Sequence, residues 1–162
     1  MSYVGGSVGS VGSVGSVGSV VGGAAWWVSA LNGLYFPAVA VLTVVAVVRC
    51  GWRLGAFGLA AVVAVVCAVK GLSGRLRPDG SDRRSFPSGH AAVSAYLSAI
   101  LTLSRPTAPW ASFFLWAWTA SVGAARVASL RHHASDVVLG TLLGVGAGAA
   151  LSVLTRRPSA II

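Results

Sequence analysis

Five stretches of this chain carry no charged side chain over something close to the thickness of a bilayer: 24–48, 54–69, 85–104, 106–125 and 137–155. A helix needs about 20 residues to cross the hydrocarbon, and four of the five runs qualify outright. The 54–69 run is short, but Trp52 and Arg53 at its start can anchor and snorkel at the interface. Trp26, Trp27, Trp52 and Trp110 fall near the ends of these runs, where interfacial indoles belong. The pattern predicts an all-α, polytopic transmembrane helical bundle with five spans.

Ahead of the first run, residues 5–23 repeat Ser-Val-Gly with a period of three, which matches neither the 3.6 of an amphipathic helix nor the 2 of a strand. Glycine at every third position is costly in a helix. Two readings stay open: a flexible low-complexity tail, or a degenerate first span that would raise the count to six. The segment lacks the basic and leucine-rich regions of an ordinary signal peptide. The chain accordingly divides into this segment (1–23), a membrane domain (24–157) and a short C-terminal tail (158–162).

Composition supports that division. The 162 residues are 56% hydrophobic and 9% charged, with a mean hydropathy of +0.82, outside the range of ordinary soluble domains. The net charge of +9 arises from eleven Arg and one Lys against three Asp. Nucleic acid is excluded as a partner, because the basic residues sit in short breaks between apolar runs and form no single basic face with interleaved aromatics. Phosphate in another form, such as a lipid headgroup, stays open. Cys50 and Cys67 lie too far apart along one run to be bridged, and say nothing about redox compartment.

Crossing once per run puts the 49–53 break, Arg105 and Arg156-Arg157 on one face of the membrane. The other face receives Lys70, Arg75, Arg77, Arg83, Arg84, Arg126 and Arg131, together with all three Asp and all three His. A count of positive charges would make the His-bearing face cytoplasmic. Charges engaged with an anion carry no such vote, however, and the clusters Arg49/Arg53 and Arg156/Arg157 favour the opposite orientation.

The scarce ionisable residues on that face fall into three groups. Lys70 and Arg77 are two helical turns apart, so they share a face if the helix continues, although Pro78 and Asp79-Gly80 signal a turn. In Pro87-Ser88-Gly89-His90, Ser88 is a good helix N-cap, Gly89 permits close approach, and free N–H groups at a helix start favour an anion. His90 would overlook that anion. His132 and Asp136 are four apart, so on a helix the carboxylate could reach one imidazole nitrogen and leave the other aimed, as for a nucleophile or base. His133, turned about 100° away, reads as a bystander. Arg126 ends the preceding run. Metal binding by His90, His132, His133 and Asp136 competes with this reading, but there is no HExxH-like ligand pair and the nearby cations oppose a divalent ion.

The pattern Lys70-x6-Arg77-Pro78, Pro87-Ser88-Gly89-His90 and Arg126-x5-His132-x3-Asp136 resembles the three-part signature of the type 2 phosphatidic acid phosphatase superfamily, the vanadium-haloperoxidase-like phosphatases. The resemblance implies a helical core of that type and a metal-independent phosphatase without cofactors. In it His132 would form a phosphohistidine, Asp136 would support His132, and His90 would protonate the leaving oxygen. Lys70, Arg77 and Arg126, with Ser88 and the backbone at Gly89, would hold the phosphate oxygens. The substrate would be a phosphorylated lipid: a polyprenyl phosphate or diphosphate, phosphatidic acid or similar, with a small headgroup favoured by the short 70–84 loop. No obligate protein partner is expected, and the location would be a bacterial inner or plasma membrane with the site on the extracytoplasmic face. Two departures stand out: Ala125 replaces the serine that usually precedes the motif arginine, and integral members commonly have six spans. The competing class is a non-catalytic binding or transport protein for anionic lipids.

Overall fold

The structure is a computed structural model and describes residues 18–155. All five predicted helical segments are present and, among the described residues, there is no strand. The helices are α1 (Gly18–Cys50), α2 (Leu59–Ser73), α3 (Gly89–Leu103), α4 (Pro109–Ala128) and α5 (Ala134–Thr155), with a π-helical stretch, Arg53–Gly58, leading into α2. Helix α1 begins inside the Ser-Val-Gly segment. Residues 1–17 and 156–162 lie outside the described residues, and with them the question of a sixth span and the C-terminal tail.

Among the described residues three segments are long and apolar enough to cross a membrane by themselves: Trp26–Cys50, Arg53–Ser73 and Ala134–Leu154. Helix α4, with its hydroxyls, indoles and Arg126, is not among them. Helix α3 has 15 residues, about 22 Å at 1.5 Å per residue, against roughly 30 Å of hydrocarbon. Its position explains why a short helix suffices. Every residue from Ala91 to Leu101 is buried, and α3 packs against all four other helices, most extensively α5. It is the axis of the bundle and presents little surface to lipid.

The α3–α5 contact is close because α5 offers glycine at 140, 144 and 148, one per turn. A Cβ on Gly140 would strike the Ser88 carbonyl, one on Gly144 the Ala92 carbonyl, and one on Gly148 the Ala99 methyl at 2.7 Å. Small residues at this spacing let two backbones meet in an apolar solvent, where dispersion and not the hydrophobic effect drives association. From the middle of α3 the Tyr96 hydroxyl donates to the Leu54 carbonyl at 2.6 Å, satisfying a backbone acceptor within the π-helical stretch. Arg49 donates to the Pro106 carbonyl at 3.0 Å, holding the 49–53 and 105–108 turns together at the end remote from the histidines.

Candidate active site

Helix α2 ends at Ser73 with Gly74 in the left-handed conformation (φ 55°), and the chain reverses. Lys70 and Arg77 therefore do not share one helix face as a continued helix would have required. Both nevertheless line a single cavity of about 380 Å³, together with Gly89, His90, Arg126, Arg131 and His132. Six of the eight site residues expected from the sequence thus converge from α2, the 74–88 connection, α3, α4 and the 129–133 turn. Ser88 and Asp136 are fully buried and stand behind that wall. Arg131 is a fourth cation in it that the sequence reading assigned to the same face but not to the site.

The 74–88 connection is shaped by hydrogen bonds to three successive carbonyls. Lys70 Nζ donates to Arg84 O at 2.7 Å, His132 Nδ1 lies 2.6 Å from Ser85 O, and Ser73 Oγ donates to Phe86 O at 3.0 Å. The Phe86–Pro87 peptide bond is cis. The turn at Arg77 is closed by Arg77 N–H to Asp82 O at 3.0 Å, with Arg77 Nε 2.9 Å from the Asp82 carboxylate. It is docked onto the other signature loop by Asp79 N–H to Leu130 O at 3.2 Å and by the Arg131–Asp79 ion pair at 3.3 Å.

Helix α3 starts at Gly89, and Ser88 is its N-cap residue by position, but its hydroxyl makes no capping bond and has no partner. A buried, unpaired hydroxyl beside free helix N–H groups is an acceptor and donor held in reserve. Gly89 faces the cavity with Val66 Cγ1 only 3.3 Å from where a Cβ would sit.

His132 does not lie on a helix; α5 begins two residues later at Ala134. Its ring nitrogen approaches the Asp136 carboxylate only to 4.0 Å, so the expected direct carboxylate–imidazole hydrogen bond is absent and the Ser85 carbonyl takes its place. A carbonyl only accepts, so this contact requires the proton on Nδ1 and leaves Nε2 with its lone pair. Burial, followed by the charge of Lys70, pulls the His132 pKa down to about 4, with the Ser85 carbonyl opposing. The imidazole is neutral at physiological pH. Asp136 accepts instead from Arg75 Nη1 at 2.6 Å, from the Ser85 hydroxyl, and from the His133 backbone N–H at 3.0 Å.

Two further residues come from α1, which carries none of the three motifs. The His90 ring packs against Tyr35 with centroids 4.2 Å apart and planes tilted by 42°, the Tyr35 hydroxyl donates to the His90 carbonyl at 3.4 Å, and Arg126 Nη2 donates to the Asn32 side-chain carbonyl. Asn32 is the single asparagine of the chain, in the middle of an uncharged run. Its isolation there was the available signal. Ala125, at the position of the usual motif serine, is buried and outside the cavity wall. Among the described residues no group of three or more His, Cys, Asp or Glu is disposed to hold a metal ion.

Cations gather over the start of a buried helix, beside an imidazole held by one nitrogen, at one end of a membrane-helical bundle. The chain belongs to the PAP2 superfamily, whose model matches residues 51–159. It is 36% identical over 94 residues to a lipid A 1-phosphatase of Porphyromonas gingivalis, covering 57% of this chain and 21% of that protein. It is also 38% identical over 72 residues to human phospholipid phosphatase 2, covering 38% of this chain and 25% of that one. The chain thus matches about a quarter or less of the length of either relative. No solved structure matches it.

Proposed function

We propose that this protein is a metal-independent membrane phosphatase that removes phosphate from a phosphorylated lipid through a phosphohistidine. The observation that carries the reading is the convergence of Lys70, Arg77, Arg126, His90 and His132 on one cavity. The names of the two relatives, both phosphatases of lipids, support the substrate class. In the first step the His132 Nε2 lone pair attacks phosphorus as the bond to the lipid oxygen breaks, and His90 gives that oxygen its proton. In the second, water attacks the phosphohistidine with His90 taking the proton, and phosphate leaves. Lys70, Arg77, Arg126 and the Gly89 backbone meet the charge spread over the equatorial oxygens, which is the main demand of phosphoryl transfer. The Ser88 hydroxyl is the remaining ligand of that cradle. The lipid chain stays in the bilayer, and the site faces outward from the cytoplasm.

The test is phosphate release from purified protein in detergent, with excess chelator, against a panel of lipid monophosphates and diphosphates. Activity that survives chelator and is inhibited by vanadate is expected. His132→Ala should abolish release while leaving lipid binding in place. Binding with no release in the wild type would instead identify a carrier of anionic lipids.

A further inference from the structure

We propose that Arg75 and Ser85 are positioning residues that set the orientation and tautomer of His132 by way of Asp136, so that a peptide carbonyl and not a carboxylate holds the nucleophile. This rests on the phosphatase reading for its catalytic consequence, though not for its geometry.

Asp136 is completely buried, and a buried carboxylate is tolerable only when its oxygens are filled. Here they are filled by groups other than His132. Oδ1 receives Arg75 Nη1 at 2.6 Å; Oδ2 receives the Ser85 hydroxyl and the His133 N–H at 3.0 Å. Ser85 then turns its own carbonyl to His132 Nδ1 at 2.6 Å, while its N–H donates to the Arg75 carbonyl at 3.0 Å. Arg75, Asp136 and Ser85 close a ring of three hydrogen bonds, and the imidazole hangs from its serine corner. The same strap is tied again by Ser88 N–H to the Asp136 carbonyl at 2.9 Å.

Arg75 has no place in the cavity wall, unlike Arg77 two residues on. Its cation is spent on Asp136, so it neutralises the charge that would otherwise stand 4.0 Å from the imidazole. Loss of either corner frees the Ser85 carbonyl and lets the ring rotate or exchange tautomers, putting the proton on Nε2, where it blocks attack. Substrate affinity, which depends on the cavity cations, is untouched.

The experiment uses the full chain in detergent with ¹⁵N-labelled histidine, His132 being identified by its loss in His132→Gln. Wild type should show one imidazole tautomer, protonated at Nδ1. Ser85→Ala and Arg75→Gln should lose that single form and lower kcat roughly tenfold or more with KM little changed, which marks a loss confined to the transition state. Arg75→Lys, which keeps a charge near Oδ1, should restore both. If Arg75→Gln does not fold, Ser85→Ala and Arg75→Lys carry the test. A wild-type spectrum in Ser85→Ala overturns the proposal, and so does a raised KM with unchanged kcat in the Arg75 variants. A wild type that releases no phosphate removes the phosphatase reading, yet the spectra still decide whether Ser85 and Arg75 set the tautomer.

Discussion

Replacing Gly140 with alanine adds one methyl group at the point where α5 crosses the start of α3. The new Cβ would fall on the Ser88 carbonyl oxygen, with Ser88 C at 3.2 Å and N at 3.3 Å. These are backbone atoms and cannot rotate away, so the helices must part. Overpacking of this kind costs about 1–3 kcal/mol, and separating the pair also stretches the Ser88 N–H to Asp136 O hydrogen bond, worth about 1 kcal/mol. Alanine recovers about 1 kcal/mol of helix propensity. The net expectation is a loss of about 1–3 kcal/mol, or several degrees in thermal midpoint for a chain of this size. Gly146 supplies the control, because a Cβ there would meet nothing within 4 Å. Gly146→Ala should be neutral or stabilising by up to about 1 kcal/mol. The assay is thermal unfolding in one detergent followed by helical circular dichroism, with phosphate release measured in parallel. Because Gly89, the residue after Ser88, lines the cavity, Gly140→Ala should also lower activity more than its stability loss explains at a temperature where both variants are folded. Equal midpoints for Gly140→Ala and Gly146→Ala would refute the reasoning, since the two substitutions differ only in what the methyl meets.

The depressed pKa of His132 predicts a pH dependence of defined sign. With the folded value at about 4 and the unfolded value near 6.5, the unfolded chain binds the extra proton between them, so the stability contribution is complete above pH 6.5 and is lost as pH falls through 4. A histidine titration by NMR should find His132 neutral at pH 5 in the empty protein, and bound vanadate should raise its pKa; a midpoint near 6.5 without ligand would contradict the burial argument. Leu130 has φ 54° in the turn that carries His132 and is exposed. Leu130→Asn, which tolerates that conformation, should raise the thermal midpoint by the equivalent of roughly 1 kcal/mol, and an unchanged or lower midpoint counts against strain at this position.

The helices were legible because uncharged runs of membrane length have few other uses, and the site was legible because charge is so rare in this chain that each ionisable residue is informative. Where the reading depended on a helix continuing, it failed. Lys70 and Arg77 meet across a reversal at Gly74, not along one face, and His132 hangs from the Ser85 carbonyl in a turn, not from Asp136 one helical turn away. Both errors have one source: periodicity describes neighbours within an element and is silent once the chain turns. Arg75, Asn32 and Tyr35 were missed because their partners lie 61, 94 and 55 residues away in sequence.

By itself, then, the amino-acid sequence determined that this is a bundle of apolar helices with its histidines and carboxylates confined to one end, because burying an unpaired charge in hydrocarbon is too costly for ionisable groups to lie within the spans. It also set which residue types line the cavity. Only the tertiary structure decided which atom each of them touches. The close glycine contact of α5 on α3 brings Asp136 against the 84–88 strap, and hydrogen bonds there are directional at a scale of tenths of an ångström, which no one-dimensional spacing specifies.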